Sequence, residues 1–129
     1  MGLDDRAQRR YVEQLQPHFS DPLRAVGFLQ AAGTAGEQAI VRGGGIGGRA
    51  DHVWMAVTVD EAQLLDGTRG KVGGVIKAWP LTAARYTLEP RATTCRVTVE
   101  FHDDTPRLLL EARTRGAGNG PLLAALTEV

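Results

Sequence analysis

The stretch DHVWMAVTVD, Asp51 to Asp60, places Val53, Met55, Val57 and Val59 at every second position, with His52, Trp54, Ala56, Thr58 and Asp60 between them. Successive side chains of an extended strand point to opposite faces. An apolar period of two is therefore the pattern of a half-buried antiparallel strand, and a helix cannot use it. The pattern returns at Ala92 to Phe101, with Cys95, Val97, Val99 and Phe101 inward and Thr94, Arg96, Thr98, Glu100 and His102 outward. Turn-forming clusters cut the rest into short pieces: Asp66 to Gly70, Glu89-Pro90-Arg91, and His102 to Thr105. Further strands are expected at Leu23 to Gln30, Gln38 to Arg42, Ala62 to Leu65, Lys71 to Trp79, Ala84 to Leu88 and Pro106 to Arg113. The paired glycines Gly73-Gly74 inside one of them predict a bulge or a sharp bend, as when a sheet curls into a barrel.

Helical spacing appears only near the ends. Leu3, Ala7, Tyr11 and Leu15 recur every fourth residue with Val12 beside them, opposite Asp4, Arg6, Arg9, Arg10 and Glu13, and Pro17 stops the helix. Gly116 to Gly120 reads as a flexible joint, and Pro121 opens a short helix whose Leu122, Leu123 and Leu126 need burial. The order is helix, about seven short strands, helix. At 129 residues the chain suits one domain with one core: an N-terminal helix within residues 1–20 and a β domain over residues 22–129.

Four strings carry a family resemblance. "PLRAVGFLQAAGT" is similar to the first strand of the bacterial pleckstrin-homology-like domains, small single-domain proteins of high-GC bacteria. "DHVWMAVTVDEAQLLDGT" is similar to their strand–bend–strand core. "KVGGVIKAWPLTAAR" is similar to the next strand, which ends in tryptophan, and "TTCRVTVEFHDDTPRLLLEA" to the last hairpin. The resemblance implies a mainly β (α+β) fold: a bent seven-stranded pleckstrin-homology-like barrel with an N-terminal helix and a short C-terminal helix capping one open end. It implies no chemistry, since a fold does not give a function. Lipid-binding members carry Lys and Arg around the first hairpin. Ala31 to Glu37 has none here, which counts against phosphoinositide recognition by that route.

Composition removes several function classes. The 15 basic and 15 acidic residues balance, and a domain dedicated to nucleic acid needs a basic excess. A single cysteine, a polar N-terminus with no apolar signal region, and no apolar run near the ~18 residues of a membrane span point to a cytoplasmic protein.

Chemical motifs are scarce. Gly43, Gly45 and Gly48 spell G-x-G-x-x-G, but a strand follows them where a dinucleotide fold needs a helix, and no G-K-[ST] is present. The string reads as a connecting loop. His18, His52 and His102 are scattered and give no zinc spacing, Cys95 faces inward, and Ser20 is the only serine. Asp103-Asp104 suits a turn. No catalytic, metal or cofactor residue is assigned, and a non-enzymatic role is expected.

The expected role is a binding module for a protein partner or for a second copy, through an exposed sheet edge or the N-terminal helix. The candidate surface is Trp54 and Trp79 with Tyr11, Leu15, Arg42 and Arg49. Trp54, opposite the valines, needs a cover, either Tyr11 and Leu15 of the N-terminal helix or a partner. A second reading is peripheral association with an anionic membrane through Arg42, Arg49 and the glycine loop. A third is a small-ligand carrier or enzyme built at a barrel mouth.

Overall fold

The computed structural model describes residues 2–32 and 52–129. Helix α1 spans Leu3–Leu15 and runs into a 3-10 turn, Gln16–His18, that contains Pro17. Seven strands follow: β1 Ala25–Ala31, β2 His52–Val57, β3 Glu61–Asp66, β4 Val75–Pro80, β5 Ala84–Pro90, β6 Thr94–Phe101 and β7 Leu108–Arg113. Helix α2, Gly120–Thr127, follows β7. Among the described residues the strands form one antiparallel sheet, in the order β4-β3-β2-β1-β7-β6-β5.

The sheet is open, which corrects the expected barrel. Closure would require a backbone ladder between β4 and β5, and these are the two edges. Pro80, which has no N–H, ends β4, and a 3-10 turn at Leu81–Ala83 leads directly into β5. Side chains bridge the two edge strands: the Trp79 indole donates to the Tyr86 hydroxyl (2.9 Å), which donates to the Leu81 carbonyl (3.0 Å). The glycines read as the site of curling precede β4. Gly73 N–H donates to Asp66 C=O (2.7 Å), and Asp66 N–H donates to Gly74 C=O (3.0 Å). The irregularity lies further on. Leu64 faces Lys77 and Leu65 faces Val75, so Ile76 is the extra residue of a bulge.

Both faces of the sheet are covered. On one, Val53, Met55 and Val57 join Leu64, Val97, Val99, Leu108 and Leu110 under Leu122, Ala125 and Leu126 of α2. Helix α2 therefore lies on a sheet face, where the expectation had it plugging a barrel end. On the other face, Val26, Trp54, Ala56 and Leu65 pack with Leu15 of α1. This second layer is why β2 is buried along almost its whole length.

Two side-chain amides complete the sheet where β7 falls short. β7 pairs β1 only at Leu29–Ala31, and among the described residues no strand pairs the first half of β1 on that side. There Phe28 N–H donates to Asn119 Oδ1 (2.8 Å), while Asn119 Nδ2 donates to the carbonyls of Phe28 (3.2 Å) and Arg113 (3.1 Å). Gln8, with its amide turned to match its neighbours, donates to Val26 C=O (2.7 Å) and accepts from Val26 N–H (3.2 Å). A buried backbone left unpaired is costly, and these amides remove that cost. The Gly116–Gly120 segment is thus a packed junction. Asn119 is 1% exposed. Gly118 has φ +75°, and its N–H donates to Asp4 Oδ1 (2.8 Å).

Candidate functional site

The sequence-derived candidate residues separate in space. Tyr11, Leu15 and Trp54 come together under α1: the Tyr11 and Trp54 rings meet edge-on with centroids 5.1 Å apart, and Leu15 is buried beside them. Trp54 is 3% exposed, and its indole N–H donates to Lys71 C=O (3.1 Å). Its cover is therefore the N-terminal helix of its own chain. Trp79 belongs to the opposite layer, 4% exposed, edge-on to Phe101 at 5.2 Å. Arg42, Arg49, the Gly43–Gly48 cluster and the expected strand at Gln38 to Arg42 lie outside the described residues.

Groups with chemical potential are held in structural roles. Cys95 is buried, and burial, ahead of the opposing effect of a backbone hydrogen bond at Glu89, pushes its thiol pKa up, away from a reactive thiolate. Asp103 accepts from Thr105 N–H (2.8 Å) in a local turn, and this pairing with Thr105 holds its carboxyl below the ordinary range. His52 stacks on Phe28 with centroids 5.3 Å apart. Among the described residues no group of three or more His, Cys, Asp or Glu is placed to hold a metal ion, and no helix is long and apolar enough to cross a membrane.

The sequence implied an exposed sheet edge without naming the strand; one of the two edges is the outer side of β5. Among the described residues this strand pairs only with β6, from Ala84 opposite Phe101 to Pro90 opposite Cys95. The ladder's phase follows from its ends, where His102 N–H donates to Ala83 C=O (3.0 Å) and Arg91 N–H donates to Thr94 C=O (2.8 Å). Odd-numbered residues therefore bond β6, and the backbone groups of Ala84, Tyr86 and Leu88 point away from the sheet. An open groove of about 600 Å³ runs alongside. Ala84, Arg85, Tyr86 and Leu88 line it from β5, Leu126 and Thr127 from α2, and His102 from the end of the β6 hairpin.

The two faces of β5 differ. Tyr86 and Leu88 are half-buried and pack against the α2-side core. Burial, partly offset by the Trp79 hydrogen bond, raises the Tyr86 phenol above its ordinary 10.0, so the hydroxyl stays protonated in its bonded position. On the opposite face Arg85, Thr87 and Glu89 are exposed. Arg85 pairs with Glu100 across the ladder (3.0 Å), and Glu89 faces Arg96, which in turn pairs with Glu111 on β7 (2.8 Å). The sequence signal for this edge was the alternation Arg85, Thr87, Glu89 followed by Pro90, since charges and proline are how natural proteins finish exposed edges.

Compared with known proteins, the chain matches no family model and no curated relative.

Proposed function

We propose that the protein is a non-catalytic protein-binding module that takes an extended polypeptide segment as an added strand along the outer edge of β5. The observation that carries this reading is the coincidence of a seven-residue strand, paired on one side only among the described residues, with a groove of about 600 Å³ beside it. Backbone groups along the edge supply affinity in strand addition, and pockets beside it select alternate side chains. The other edge suits the task less well. Both edge strands carry charge and end in proline, but β4 is interrupted by the bulge at Ile76. β5 has no register shift along its pairing with β6.

A random peptide library displayed on phage tests this. The wild-type chain should enrich sequences with apolar residues at alternate positions. Leu88→Pro removes an outward N–H without removing a ladder bond to β6, and should bind the enriched peptides at least about tenfold more weakly. Leu88→Ala, which keeps the N–H, separates loss of the edge from loss of the side chain. Failure to enrich any peptide, or equal binding by Leu88→Pro, overturns the reading.

A further inference from the structure

The edge of β5 is complementary to itself, and we infer that its partner is a second copy of this chain, paired antiparallel through β5 with Thr87 on the two-fold axis. This rests on the strand-addition reading and names its occupant. In that register Tyr86 of each copy faces Leu88 of the other, and Ala84 faces Pro90. These even-numbered residues carry the outward backbone groups, so the phase set by β6 allows a regular ladder between the copies. Pro90, which lacks an N–H, falls at the outermost pair, where a missing donor matters least.

Side chains agree with the backbone on both faces. On the exposed face Arg85 comes opposite the second copy's Glu89, Thr87 opposite Thr87, and Glu89 opposite the second copy's Arg85. Opposite charges directly across an antiparallel pair attract, and like charges repel. The pairing also extends charge rows already present in each copy. Glu111 and Arg96 are ion-paired and Glu89 faces Arg96, while Arg85 is ion-paired with Glu100. Joined across the axis, these make an alternating row of Glu111, Arg96 and Glu89 from one copy and Arg85 and Glu100 from the other. On the apolar face, half-buried Tyr86 and Leu88 meet their counterparts at the mouth of each groove. An isologous contact of this kind closes at two copies and uses up the exposed edge.

Sedimentation velocity on the full chain, from ~5 to ~500 µM, tests the inference. The wild type should pass from monomer to dimer. Arg85→Glu sets Glu against Glu across the axis and Glu89→Arg sets Arg against Arg, so each single variant should dimerise at least about tenfold more weakly. Mixing the two variants restores both opposite-charge pairs, and the mixture should form a heterodimer as readily as the wild type dimerises. A wild type that stays monomeric throughout, or a dimer indifferent to both charge changes and to Leu88→Pro, overturns the inference. Peptide capture blocked by Leu88→Pro in a monomeric wild type would leave the strand-addition reading standing without it.

Discussion

The ring of Tyr11 stands edge-on to the indole of Trp54, with centroids 5.1 Å apart and planes at 73°. The Tyr11 hydroxyl also donates to Ala117 C=O (2.6 Å), so one side chain ties α1 both to the sheet and to the junction before α2. Tyr11→Phe should cost about 1 kcal/mol, the hydrogen bond alone. Tyr11→Ala, which also removes the ring contact, should cost ~2–3 kcal/mol. Urea unfolding followed by tryptophan fluorescence checks both values. Equal costs would mean that the ring contact contributes nothing.

Asn119 replaces a missing piece of strand. Asn119→Ala should destabilise by ~1–3 kcal/mol, because it removes the partners of part-buried backbone groups of Phe28 and Arg113. Asn119→Asp should be about as damaging: a carboxylate accepts from Phe28 N–H but cannot donate to two carbonyls. A change under about 0.5 kcal/mol for either variant in urea unfolding would contradict this role.

Glycines near the helices should differ in tolerance. A Cβ at Gly118, where φ is +75°, would lie 2.7 Å from Ala7 Cβ and 2.8 Å from Gln8 N, so Gly118→Ala should cost ~3 kcal/mol or more. Gly27→Ala would press on the buried Leu122 side chain and come within 3.0 Å of Asn119 Oδ1, and should cost ~1–3 kcal/mol. Gly74→Ala, with open space around it, should be within ~0.5 kcal/mol of wild type. Thermal unfolding midpoints in that order support the packing of α1 on the junction.

Alkaline pH should destabilise the fold. Burial raises the phenols of Tyr11 and Tyr86 above 10.0; at Tyr11 the charge of Arg10 opposes this and that of Asp4 adds to it. Below pH 10 both residues are protonated in the folded and unfolded chains, and the stability linked to them is fully present. Above it the unfolded chain loses these protons first, so stability falls as pH rises through the higher folded values. Unfolding free energies between about pH 8 and 11 should show this decline, shallower in Tyr86→Phe. A flat profile would contradict it.

Strand alternation was legible where two layers of packing agree with it. Val53, Met55 and Val57 share a face as the sequence implies, as do Val97 and Val99. Val59 continues that pattern yet is 80% exposed. Strand β2 ends at Val57 because Thr58 turns the chain, accepting from Glu61 N–H (3.2 Å) and donating to Asp60 (3.3 Å). Periodicity also could not say that Trp54 and Ala56 are buried, since that depends on α1 arriving from far along the chain. Openness of the sheet depends on whether β4 and β5 bond each other, a relation between strands that no single strand's pattern encodes. The same holds for the candidate site. Arg85, Thr87 and Glu89 announce an exposed face, but only the strand order makes β5 an edge.

Amide hydrogen exchange along β5, measured at increasing protein concentration, tests the central claim most directly. The amides of Arg85, Thr87 and Glu89 bond β6 and should be protected at every concentration. Those of Tyr86 and Leu88 should exchange fast in dilute protein and become protected as concentration rises, in the wild type but not in Arg85→Glu. Fast exchange at Tyr86 and Leu88 at every concentration, or full protection already in the dilute monomer, would contradict the account.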